Sequence, residues 1–193
     1  QERKNKGLGQ INALFLPDVG IKEVDKDFYR SLIEEATFSE KIKVSVLDMP
    51  DIHAFNTKRY EIEWMTYMRN SQPPLSSFDV IIAHGTSADA MLRYIESDRV
   101  QNLLLIDGSH IYTAGERHGR DYHYSLIKKN VQQIGLLATS TKSRLNDQRA
   151  LQEGLELDPN FVVNNEEDNT GNETAERIRI LAANLAADSF PKN

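Results

Sequence analysis

Histidine, threonine and serine stand together once in this chain, as His84-Gly85-Thr86-Ser87, at a point where a nucleophile would be useful. Before them, Phe78-Asp79-Val80-Ile81-Ile82 is a short apolar run with no polar face, which suits a strand buried in a parallel sheet. After them, Ala88, Met91, Leu92 and Ile95 recur at helical spacing. Strand, small-residue turn and helix make the setting of a nucleophile elbow, in which a small-x-Ser-x-small sequence lifts a serine hydroxyl above the sheet for acyl transfer. Here the frame is Ala83-His84-Gly85-Thr86-Ser87, and its centre is Gly85, which has no side chain to attack with. The chemistry left open is a displaced nucleophile, Thr86 or Ser87, with His84 as base and Asp107 or Asp89 as the group that orients it. The plainer reading is that His84 packs or hydrogen-bonds locally.

Other reactive residue types are spread more thinly. His110, His118 and His123, with Glu116 and Asp121, have the right chemistry for a metal. Their spacing fits no fixed helical geometry, so a solvated polar loop is expected, with no metal and no cofactor. Asp107-Gly108-Ser109-His110 follows an apolar strand, at the end where open α/β sheets bind ligands, and a small-molecule pocket is a candidate there. Trp64, Met65 and Met68 form an aromatic and thioether stripe that reads as helix-to-sheet packing. Glu166-Glu167-Asp168 reads as a solvated acidic turn, and Asn172-Glu173-Thr174 fits the glycosylation acceptor pattern, which matters only in a secreted protein.

Composition limits the function classes. A net charge of -6 argues against a nucleic-acid partner or an anionic membrane surface, because both need a basic face. The absence of cysteine excludes disulfides, a thiolate nucleophile and a cysteine metal site. No apolar run approaches the roughly 20 residues that cross a bilayer, so membrane insertion is not expected. The composition fits the cytoplasm. Gln1 is not a start residue, so an address signal could precede it. The 193 residues suffice for one well-buried core, and the expected organisation is a frayed tail over 1–10 followed by a single domain over 11–190.

The elements that must position these residues alternate along the chain. Strands are expected at Ile11 to Leu16, Ile42 to Leu47, Phe78 to Ile82, Asn102 to Ile106, Gln133 to Ala138 and Phe161 to Val163. Between and after them, helices are expected at Asp25 to Ala36, Thr57 to Met68, Ala88 to Tyr94, Tyr122 to Asn130, Leu145 to Leu155 and Glu173 to Ala187. Such alternation implies right-handed βαβ units, hence a mostly parallel sheet of about six strands with helices on both faces.

Leu47-Asp48-Met49-Pro50-Asp51, Ile82-Ala83-His84 through Met91-Leu92-Arg93-Tyr94, Asp98-Arg99-Val100, and Tyr112 to Tyr124 ending in Ile127-Lys128-Lys129-Asn130 together carry a family resemblance. In order and spacing the chain resembles the retinoblastoma-binding protein 9 type of small serine hydrolase, over roughly Asn12 to Leu185. The resemblance implies an α/β-hydrolase-like three-layer sandwich and a Ser-Asp-His triad. The family's Gly-His-Ser-Ser-Gly elbow falls on Ala83 to Ser87, so its nucleophile position is Gly85. Its Thr-Asp-Asp-Pro stretch corresponds to Ser140-Thr141-Lys142-Ser143, which puts Lys142 at the acid position. Its Cys-Gly-His-Phe motif corresponds to Glu166-Glu167-Asp168-Asn169, which puts Asp168 at the base position, and no histidine follows His123 in the sequence. Its Pro-Gly-Asn-Gly-Gly oxyanion loop corresponds to Pro17-Asp18-Val19-Gly20, where Asp18 would repel a developing oxyanion and Val19 lacks glycine's backbone freedom.

Loss of nucleophile, acid, base and oxyanion loop together implies a pseudoenzyme kept as a protein-interaction or structural subunit, within a larger assembly. Protein partners are expected to meet the Tyr112 to Tyr124 loop, the Asp18 to Lys26 loop and the relic cleft. Asp18, Val19, His84, Gly85, Thr86, Asp107 and Ser109 would line that cleft, which remains open to a small-molecule ligand. The alternative is a weak esterase or amidase with a rearranged site using Thr86 or Ser87.

Overall fold

A computed structural model describes residues 11–17, 42–47, 58–106, 122–138, 142–157 and 162–164. Among the described residues, six strands form one sheet: β1 (Ile11–Leu16), β2 (Ile42–Val46), β3 (Val80–His84), β4 (Asn102–Ile106), β5 (Gln133–Ala138) and β6 (Val162–Asn164). Their spatial order is β2-β1-β3-β4-β5-β6, and every neighbouring pair is parallel. Four helices lie among the described residues: α1 (Lys58–Arg69), α2 (Thr86–Tyr94), α3 (Tyr124–Asn130) and α4 (Lys142–Leu155). The expected helices at Asp25 to Ala36 and Glu173 to Ala187 lie outside the described residues.

Strand parity explains how this sheet becomes the middle layer of a sandwich. Side chains alternate between faces along a strand, so a sheet covered on both sides needs apolar residues at consecutive positions. Leu14, Leu16, Ile81, Ala83, Leu103, Leu105, Ile134 and Leu136 share one core cluster with Trp64, Met68, Met91, Leu92, Ile127, Leu151 and Leu155 from the four helices and with Ile95, which caps α2. On the opposite parity, Ala13, Phe15, Val80, Ile82, Leu104, Ile106 and Leu137 are equally shielded from water. Each such large aliphatic side chain contributes about 1.5–3 kcal/mol by leaving water. The three-layer α/β architecture expected from the alternation is therefore the one observed.

Polar contacts fix the ends of the strands. At the foot of the sheet the Asp79 carboxylate accepts the Asn12 N–H at 2.8 Å, and the Asp79 N–H donates to the Asn12 carbonyl at 2.8 Å. The Asn102 side-chain amide donates to the Asp79 carbonyl at 2.8 Å, tying β4 into the same corner. These bonds begin the β1–β3 ladder, in which Leu16 faces Ala83 at the far end. On α1, Trp64 and Met68 are four residues apart and both buried, with Met65 packed at their side, as the stripe implies. At the C-terminal end of α1, Arg69 grips Asp98 through Nε at 3.1 Å and Nη2 at 2.9 Å.

Several element boundaries differ from the sequence expectation by one to three residues, and those around the elbow have identifiable causes. β3 starts at Val80, because Leu75–Ser77 form a 3-10 turn closed by Phe78 and Asp79 is taken by the corner contact. α2 starts at Thr86, so the turn is the single residue Gly85. α3 starts at Tyr124, because Tyr122 is buried in an extended lead-in.

Candidate functional site

The order β2-β1-β3 places the point where the chain reverses direction across the sheet between β1 and β3. Open α/β sheets bind ligands at that crevice, beyond the C-terminal ends of the strands. Pro17 leaves β1 there, His84 ends β3, and Ile106 ends β4 opposite His84. The fold thus brings the turn at Gly85 to the crevice where open α/β sheets bind ligands.

Gly85 makes the elbow. Its N–H donates to the Ile106 carbonyl at 2.8 Å, extending the β3–β4 ladder by one residue. Its carbonyl accepts the N–H of Ala88 at 3.0 Å and of Asp89 at 3.4 Å, so the same residue opens α2. Ending a strand and starting a helix within one residue requires φ 61° and ψ -123°. That combination lies outside the regions open to residues with a Cβ, and glycine reaches it freely. A nucleophile elbow holds its serine on a sharp, strained turn. Gly85 makes a comparably sharp turn and carries no side chain to feel the strain.

Ser87 lies on the first turn of α2 and is fully buried. Its hydroxyl donates to the Pro17 carbonyl at 2.5 Å, across 70 positions of sequence. The bond satisfies a carbonyl at the exit of β1 and commits the only proton the Ser87 hydroxyl carries. His84 is half-buried at the end of β3, and Thr86 is the first residue of α2. Lys142 is the first residue of α4, which follows β5. Asp18, Val19, Asp107, Ser109 and Asp168 lie outside the described residues, as do the Asp18 to Lys26 loop, Tyr112 to Asp121 and the histidines at 110 and 118. His123 is exposed and precedes α3.

A polar cluster beside the elbow escapes sequence inspection. Asp89 and Arg93 sit on α2 at a four-residue step, both nearly buried. The Tyr122 hydroxyl donates to Asp89 at 3.5 Å, and the Arg93 guanidinium lies 4.7 Å from the centre of the Tyr122 ring. Glu96 accepts the His123 N–H at 2.6 Å and faces Arg93 at 3.4 Å. These contacts fasten the lead-in of α3 to α2. The signal available in the sequence was an arginine within an otherwise apolar helical face.

No protein-family model matches this sequence, and no curated protein matches it significantly. Solved structures do resemble it in fold. Est1E from Butyrivibrio proteoclasticus superposes with a TM-score of 0.63 at 10% identity, covering 95% of this chain and 91% of that one. A hormone-sensitive lipase from a metagenome library gives 0.62 at 10% identity, covering 93% and 79%. A variant of SOBER1 from Arabidopsis thaliana gives 0.54 at 9% identity, covering 90% and 99%. The fold is that of the α/β hydrolases. Among the described residues, no helix is long and apolar enough to cross a membrane.

Proposed function

We propose that this chain is a pseudoenzyme of the retinoblastoma-binding protein 9 type, retaining the hydrolase scaffold as a protein-interaction or structural subunit. The observation that carries the reading is the elbow itself. Gly85 occupies its apex in a glycine conformation, so the position built to present a nucleophile presents none. Lys142 in place of the acid, Asp168 in place of the base and Asp18 in the oxyanion loop follow from the resemblance and point the same way. A cation at the acid position would oppose formation of an imidazolium rather than stabilise it.

The competing reading, a weak esterase or amidase with a shifted nucleophile, needs Thr86 or Ser87 to attack. Ser87 is poorly suited, since it has no exposed surface and its hydroxyl is held by Pro17. Thr86 stands at the first position of α2, next to the apex.

A fluorophosphonate activity probe separates the two readings. The pseudoenzyme reading expects no covalent labelling under conditions that label an active serine hydrolase. Labelling that disappears on Thr86→Ala would sink it. The interaction role is tested by mild purification from the native source, where recovery only as a free monomer would count against a subunit function.

A further inference from the structure

We draw no further inference here: the strongest candidate, the open groove at the N-terminal end of β5 walled by Val131, Ile134, Leu155 and Leu157, has its exposed Glu156 carboxylate already paired with Lys128, and nothing in the structure shows what covers it.

Discussion

The Ser87 hydroxyl and the Pro17 carbonyl, 2.5 Å apart, join the first turn of α2 to the exit of β1 across the crevice where the sheet changes direction. Neither group can find another use nearby without cost. Ser87 has no contact with water, and a buried carbonyl left without a donor bears its full desolvation penalty. Ser87→Ala should therefore lower unfolding stability by about 1–3 kcal/mol. Urea titration with tryptophan fluorescence reads this through Trp64, which is buried against the same core. An unchanged midpoint would mean that the hydroxyl has no structural task and is free for another.

Gly85 yields the complementary prediction. Placing a serine at the apex puts a Cβ at φ 61° and ψ -123°, and such backbone strain costs about 1–3 kcal/mol. Gly85→Ser is expected to be less stable than the parent and still unreactive toward a fluorophosphonate. The proposed absence of acid and base leaves its hydroxyl without activation. Strong labelling of Gly85→Ser would instead mean that a working base survives in the crevice.

These two residues also mark where the sequence was informative. Asn102 to Ile106 and Ile11 to Leu16 were legible as strands because consecutive apolar residues, bounded by polar ones, can be satisfied only between two layers. The elbow was legible because a buried strand ran directly into small residues. Its sharpness was not, since only the backbone shows that Gly85 alone makes the turn and that α2 begins at Thr86. Tyr122 was expected to be helical and is not, because contacts with Asp89 and Arg93, some thirty residues away, override local preference. α4 starts at Lys142, ahead of the first apolar position at Leu145, since a polar first turn leaves no periodic signal. The link between Ser87 and Pro17 could not be read at all, as nothing in either segment names its partner 70 positions away.

Tyr94 sets an alkaline limit on stability. Burial holds its hydroxyl above the ordinary tyrosine range, and the Asp98 carboxylate adds to the effect while Arg69 opposes it. A pKa raised in the folded state means that the folded chain keeps its proton when the unfolded chain has lost it. The contribution is thus complete below the unfolded value and disappears as pH rises through the folded one. Melting temperature should fall as pH climbs past about 10, and Tyr94→Phe should flatten that decline. A parallel decline in both proteins would assign the alkaline sensitivity to other groups.

Gly154 sets two opposing effects against each other. It lies inside α4, where replacing glycine with alanine ordinarily stabilises a helix by up to about 1 kcal/mol. A Cβ at this position would fall 2.5 Å from Cε2 and 2.7 Å from Cε1 of Tyr124, far inside van der Waals contact. The ring cannot swing aside freely, because it is half-buried against the core and packs edge-on to Tyr122 at 6.1 Å between centres. Overpacking of this kind costs about 1–3 kcal/mol, so the steric effect outweighs the helical one and Gly154→Ala should destabilise the protein. Tyr124→Ala in the same chain removes the obstacle. In that background Gly154→Ala should recover the stabilising sign expected of an ordinary helix, and the two substitutions should be strongly non-additive in a double-mutant cycle. Additive effects would show that α3 and α4 can separate enough to admit the methyl group, and that glycine is not what sets their approach.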